Sequence, residues 1–385
     1  MRAICLGGGP AGLYFAISLK LRQPDAQVTV LERNKPDDTF GWGVVLSDET
    51  LDNLEQNDPI SAAEIRSHFA YWDDIALHHK GQVITSSGHG FCGIGRKKLL
   101  LILQDRARAL GVDLQFETDV KAASDYMADY DLVVACDGLN SKTRLEFQDT
   151  FKPDIDVRRC PFVWMGTHQK FDDAFTFIFE KTDKGWVWVH AYQFDPDTAT
   201  FIVECSQKTF DAYGFGEMSQ QESIAVCEEI FKDHLGGHKL MTNANHIRGS
   251  AWIKFPRVLC EKWSHENVVL LGDASATAHF SIGSGTKLAL ESAISLAKHV
   301  SDDADLASAF EKYEAARRLE VLRLQSAARN SVEWFEDVER YLDLDPVQLN
   351  YSMLTRSQRI SHENLRARDP GWLGGAEAWF MEQAG

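Results

Sequence analysis

The most restrictive feature of this chain lies at its start: the apolar run Ala3 to Leu6, then Gly7-Gly8-Gly9-Pro10-Ala11-Gly12, then the apolar stripe LYFAISLKL. The pattern predicts a strand, a tight glycine turn and a helix. The glycines have separate jobs. Gly7 makes the turn, Gly9 lets the backbone approach a pyrophosphate, and Gly12 lets the helix pack close to the strand. Pro10 and Ala11 start a helix whose free N–H groups suit an anion. A second strand is predicted from Val28 to Glu32, which puts the Glu32 carboxylate where it can accept hydrogen bonds from a ribose diol, with Arg33 beside it. Strand, turn, helix and distal acid together describe a dinucleotide site; the glycines alone would be a weak signal.

Two later segments repeat the logic. From Tyr130 the chain reads YDLVVACDGLNSKTR, a buried strand ending in Asp137-Gly138. From Asn267 it reads NVVLLGDASATAHFSIGSGTKLALESAISLA, a strand ending in Gly272-Asp273, with Gly283, Ser284, Gly285 and Thr286 opening a long helix. Each places an acid at the carboxyl end of a strand, the edge where open parallel sheets bind ligands. Between Arg158 and Cys260, the segments FVWMG, FTFIFEK, GWVWVHAY and TATFIVECS alternate aromatic and β-branched residues and predict an antiparallel sheet. LASAFEKYEAARRLEVLRLQSAARN, from Leu306, has helical periodicity.

Composition narrows the function classes. A net charge of −17 over 385 residues argues against a nucleic-acid partner, which needs a concentrated basic face. No signal-peptide core or membrane-spanning run is visible, so a cytoplasmic protein is expected. The seven cysteines lack metal-ligand spacing and read as small buried hydrophobes; no metal site is expected.

In this order and at these separations, GGGPAG, ACDGLNS and LLGDA resemble the flavoprotein aromatic hydroxylases of the p-hydroxybenzoate hydroxylase type. The resemblance implies an α/β fold: a Rossmann-like FAD-binding domain with a parallel sheet (residues 1–70, 90–155 and 263–320), an antiparallel-sheet substrate domain (71–89 and 156–262) and a C-terminal helical segment (321–385). It also implies that the first motif holds the ADP half of FAD. Asp137-Gly138 would lie near FAD and the nicotinamide route, Gly272-Asp273 at the ribityl chain, and Gly283 to Thr286 under the flavin. The loop GWGVVLSDETL would touch the flavin through Gly43 and Val44, and Arg96 would be a cofactor-binding arginine. Two departures stand out. Gly41-Trp42 replaces the usual arginine before the Gly-Val segment, and His279-Phe280 occupies a stretch where the family carries proline.

TFGWGVVLSD (39–48), GHGFCGIGRKKLL (88–100), HFSIGSGTKLALESA (279–293) and RSQRISHENLRARDP (356–370) are similar to a narrower group, the salicylyl-CoA 5-hydroxylases and the monooxygenase half of 2-aminobenzoyl-CoA monooxygenase/reductases. The hydroxylase of violacein biosynthesis shares GWGVV, HAY, TFIVECS and HFSIG. The bifunctional relatives carry a reductase barrel; because this chain stops at Gly385, it is expected to lack that activity. The expected reaction is hydroxylation of salicylyl-CoA to gentisyl-CoA with NADH (or NADPH) and O2, through a flavin hydroperoxide. Alternatives are 2-aminobenzoyl-CoA and an indole or tryptophan-derived intermediate, and a flavin-dependent oxidase remains a competing class. A base near the ring would aid the reaction. His279 and His190 are the candidates, and each also reads as an ordinary structural histidine. Val45, Trp188, Tyr192 and Phe280 are the candidate substrate contacts, and Arg96-Lys97-Lys98 or Arg158-Arg159 the candidate cations for CoA phosphates. The partners expected are the aromatic substrate and O2, for a monomer or homodimer.

Overall fold

In the computed structural model, which describes residues 1–171, 173–244 and 249–384, the Ala3–Leu6 run forms the middle of a six-stranded sheet. The order is Ser264–His265, Val268–Leu270, Leu132–Ala135, Arg2–Leu6, Gln27–Leu31 and Asp113–Gln115. All pairings are parallel except the first, where Ser264–His265 runs antiparallel at the edge. Continuously apolar strands such as Leu132–Ala135 are buried throughout, as a parallel sheet covered on both faces requires. From Arg2–Leu6 the chain moves outward to Gln27–Leu31. It later returns to the other side of Arg2–Leu6 as Leu132–Ala135, so the strand order reverses between them. Gly7 sits at that crevice with φ +132°, and a Cβ there would lie 2.3 Å from the Cys136 carbonyl oxygen.

The predicted aromatic strands pair as antiparallel neighbours: Pro153–Thr167 with Ala199–Cys205, then Gly185–Gln193, then Ala174–Thr182. The hairpin Asp74–His79 and Gln82–Ser86 extends this second sheet beyond Ala174–Thr182, with a parallel pairing. On the other side, Ile253–Cys260 and Leu240–Met241 pair with Pro153–Thr167.

The period of two sorts each strand. In Gly185–Gln193, Val187, Val189 and Ala191 face a core with Phe201, Phe215 and Phe231. Trp186 and Trp188 point to the opposite face, against Phe177, Phe179 and Phe335. Helix Leu306–Glu336 and the helices Pro346–Thr355, His362–Arg368 and Pro370–Ala384 contribute Trp334, Leu349, Met353, Leu365 and Leu373 to that face's core. At His190 and Tyr192 the same face opens onto a cavity. Among the described residues no helix is long and apolar enough to cross a membrane.

Candidate active site

Two cavities, joined at Gly9, Arg96, Cys136 and Gly138, run along the carboxyl ends of the parallel strands. At the near end the Glu32 carboxylate accepts hydrogen bonds from the backbone N–H groups of Gly8 and Asn34, each at 2.8 Å, and Arg33 lines the same wall. Asp137 borders this end too, but its oxygens are committed to Ser141 Oγ (2.6 Å) and the Thr143 N–H (3.1 Å). It therefore fixes the turn. From that turn the buried Arg144 donates to the carbonyls of Leu139 and Ala274, tying the two acid-bearing turns together.

Midway along the cleft two helices present their N-termini. Helix Pro10–Arg22 starts after Gly9 and helix Gly285–Asp302 after Ser284, and neither has a side-chain cap. Asp58, Ser141, Ser206 and Ser219 do cap their own helices. Uncapped N-termini leave free N–H groups and a positive dipole end facing the cleft. Gly9 and Gly138 keep it open, since a Cβ on either would meet nothing within 4 Å. Gly12 and Gly272 lie beneath as packing glycines: a Cβ on Gly12 would sit 2.2 Å from the Gly7 carbonyl oxygen, and one on Gly272 3.0 Å from Ala11 Cβ. Gly43, Val44, Arg96, Asp273 and Thr286 complete the walls.

The far end is an aromatic chamber bounded by Trp164, Phe175, His190, Tyr192, Phe255 and Phe280, with Val45 at its edge. The Tyr192 hydroxyl donates to the Gly43 carbonyl at 2.8 Å and ties the antiparallel sheet to the segment that opens with Gly43. Trp42 explains part of the departure at that loop, because its indole fills the space over Gly166. Three residues that line this cavity each carry a buried polar atom with no protein partner among the described residues: Arg96 Nε, Trp164 Nε1 and His190 Nδ1. Buried polar groups are normally satisfied, and these three are not satisfied by the protein.

His190 Nε2 lies 3.0 Å from Glu204 Oε2, which also accepts from Trp188 Nε1 at 2.8 Å. Burial pushes the Glu204 carboxyl up to about 8 and holds His190 well below the usual imidazole range, with Arg356 adding to the latter. Sequence reasoning passed over Glu204. Its signal was a lone acid in the apolar strand TFIVEC.

Several expected contacts fall elsewhere. Trp188 does not reach the cavity: it stacks on Phe335 and spends its N–H on Glu204. His279 is turned away, because its Nδ1 accepts from the Ser281 N–H and its ring lies on Phe255, facing a separate cavity beside Arg158 and Gln325. The neighbouring Phe280 enters the chamber instead. Arg158 and Arg159 are ion-paired to the fully buried Glu336, so their charges serve the fold. Lys97 is exposed and paired with Asp37, and Arg96 belongs to the cleft.

A family model described as FAD binding domain matches residues 1–325. This chain belongs to that family. The flavoprotein is 38% identical, over 99% of its length and 74% of the relative's, to salicyloyl-CoA 5-hydroxylase of a Streptomyces species. It is 33% identical over 94% of its length to protodeoxyviolaceinate monooxygenase of Chromobacterium violaceum, covering 95% of that protein. It is also 33% identical over 96% of its length to 3-hydroxy-4-methyl-anthranilyl-[aryl-carrier protein] 5-monooxygenase of Streptosporangium sibiricum, covering 98% of it. Among solved structures, 2-methyl-3-hydroxypyridine-5-carboxylic acid oxygenase shares the fold, with a TM-score of 0.72 over 96% of this chain and 99% of that one at 20% identity. The protein is thus a flavin-dependent aromatic monooxygenase. Its cleft fits FAD: an acid at the ribose end, two uncapped helix N-termini for phosphate and flavin, the open glycines and the unsatisfied Arg96 Nε.

Proposed function

We propose that this flavoprotein hydroxylates an aromatic acyl thioester, salicylyl-CoA, at the ring carbon para to its hydroxyl, with the His190–Glu204 pair managing the hydroxyl proton. The observation that carries this reading is the buried His190, which lines an aromatic chamber at the far end of the cleft and lies 3.0 Å from Glu204. The 38% identity to salicyloyl-CoA 5-hydroxylase supports the substrate class.

FAD, when bound and reduced by NADH or NADPH, supplies the activation of O2. The protein does the rest. Gly9, Pro10 and Glu32 hold the dinucleotide half, and Arg96 and Asp273 line the passage toward the flavin end. The N-terminus of Gly285–Asp302, which has no side-chain cap, would favour negative charge on a flavin held there. Phe175, Phe255 and Phe280 exclude water from the reacting oxygen.

His190 Nδ1 takes the hydroxyl proton, which raises electron donation into the ring. With Glu204 ionised, Nε2 donates to Oε2 and Nδ1 keeps its lone pair. With Glu204 protonated and donating to Nε2, Nδ1 carries the hydrogen and ceases to be a base. The carboxylate form is therefore the active one.

A second reading, an amino group in place of the hydroxyl, is favoured by the relative named for an anthranilyl substrate. An amino ring donates through its lone pair without prior deprotonation, so its hydroxylation would survive His190→Gln. Substrate-stimulated NADH oxidation, compared across salicylyl-CoA, 2-aminobenzoyl-CoA, free salicylate and tryptophan with product mass spectrometry, tests both. Oxygenation of salicylyl-CoA above the rest is expected; oxygenation of only a free acid or an indole overturns the thioester reading.

A further inference from the structure

A second cavity meets the aromatic chamber at Val45, Phe175, Gly283 and Ser284, which line both. Near this junction its walls are apolar, with Ile75, Phe91, Phe177 and Leu354. Farther out it is lined by Arg356, Arg359 and Arg368, all C-terminal to helix Pro346–Thr355. Among the described residues no aspartate or glutamate lines it.

None of these three arginines forms an ion pair among the described residues, whereas Arg158, Arg159, Arg317 and Arg318 each hold a carboxylate. The cavity's lysine, Lys287, is already neutralised by Glu49 at 2.7 Å and Glu291 at 2.9 Å. The arginines are held by neutral groups. Arg356 lies over the rings of Phe177 and Phe335 and donates to the Ser281 carbonyl at 3.0 Å. Arg368 donates to the His89 carbonyl at 3.0 Å, and Arg359 reaches Ser284 Oγ at 3.5 Å.

Their placement is built into the backbone. Gly88 lets its loop approach so closely that a Cβ would lie 2.4 Å from the Arg368 carbonyl oxygen, and Asp369 accepts from the Ser87 N–H at 2.7 Å. Burial without a carboxylate lowers the Arg356 pKa to about 10. Arginine nonetheless stays charged, so a bound anion would relieve that cost.

We infer that this cavity binds the phosphate-bearing arm of a coenzyme A thioester, with the pantetheine chain crossing the apolar neck and the phosphates meeting Arg359 and Arg368. The inference rests on the thioester reading above. Val45, Phe175, Gly283 and Ser284 line both cavities, so the second one opens directly from the chamber assigned to the ring. Guanidinium groups suit phosphate because their planar donors bind two oxygens at once.

Arg359 and Arg368 are exposed, so Arg359→Gln and Arg368→Gln leave the core intact. The FAD-loaded enzyme and both variants are titrated with salicylyl-CoA and with the N-acetylcysteamine thioester of salicylate, which has the same acyl group but no phosphate. Affinity is read by flavin fluorescence and turnover by product formation. The expected result is that each substitution weakens salicylyl-CoA binding roughly tenfold or more and steepens in the double variant, while the short thioester's affinity and the kcat for salicylyl-CoA stay unchanged. Wild-type enzyme that binds the two thioesters equally, or variants that lose both alike, would overturn the cavity assignment and leave the thioester reading standing. Turnover of neither thioester, with free salicylate oxygenated, overturns both.

Discussion

His190 Nε2 and Glu204 Oε2 lie 3.0 Å apart in the interior, and His190, whose other ring nitrogen has no protein partner among the described residues, lines the aromatic chamber. A base in this position predicts a specific kinetic failure. His190→Gln keeps FAD and still consumes NADH, but lowers hydroxylation of a phenolic substrate by about 10²–10⁴-fold, with hydrogen peroxide released instead. Product yield per NADH measures this; unchanged coupling would remove His190 from the chemistry.

Glu204 sets the pH dependence. Burial raises its pKa to about 8, so the carboxylate that leaves His190 Nδ1 free to accept a proton is gained as pH rises through that value. The hydroxylation step, followed in single-turnover experiments, should rise along a limb near that pH. Glu204→Gln places an amide donor on Nε2, abolishing the limb and slowing the step. The stability consequence has the opposite sense. A carboxyl with a raised folded pKa contributes stability that is complete below the ordinary value of 4.5 and lost as pH rises through about 8. Thermal denaturation should therefore show the wild type falling over this window and the glutamine variant falling less.

Gly9, which precedes helix Pro10–Arg22, and Gly12 within it should fail differently. Gly12→Ala drives a methyl to 2.2 Å from the Gly7 carbonyl, so the fold itself suffers, by about 1–3 kcal/mol or more. Gly9→Ala meets no protein atom within 4 Å, so Tm should hold while FAD is lost on gel filtration. Equal loss of Tm in both would contradict the assignment of Gly9 to the cofactor.

Arg158, one of the expected phosphate-binding cations, is ion-paired to Glu336. Removing it leaves the fully buried Glu336 with Arg159 alone, so Arg158→Leu should destabilise by roughly 3 kcal/mol in urea unfolding while salicylyl-CoA affinity is retained. A selective loss of thioester affinity would restore Arg158 to the site.

The parallel sheet and cofactor cleft were legible because their signals are local. Gly7 to Gly12, Asp137-Gly138 and Gly272-Asp273 each sit directly after an apolar strand, and strand ends in such a sheet converge. The chamber was legible only in part. His190 and Trp188 share one face of one strand, and the sequence does not record that Phe335, over a hundred residues later, covers Trp188. Likewise the sequence offers His279 as a base and Phe280 as a substrate contact without recording that, at the short 3-10 turn Phe280–Ile282, Phe280 lines the chamber while His279 lines a separate cavity. Glu204 and the C-terminal arginines depend on tertiary contacts between distant segments, which no spacing rule reports.

The most direct measurement is mass spectrometry of the product formed from salicylyl-CoA under heavy-isotope dioxygen with NADH and the FAD-loaded enzyme. The predicted result is one labelled oxygen on the aromatic ring of an intact acyl-CoA, para to the existing hydroxyl. NADH oxidation that yields only labelled hydrogen peroxide and unchanged salicylyl-CoA, while another aromatic compound gains the label, would contradict it.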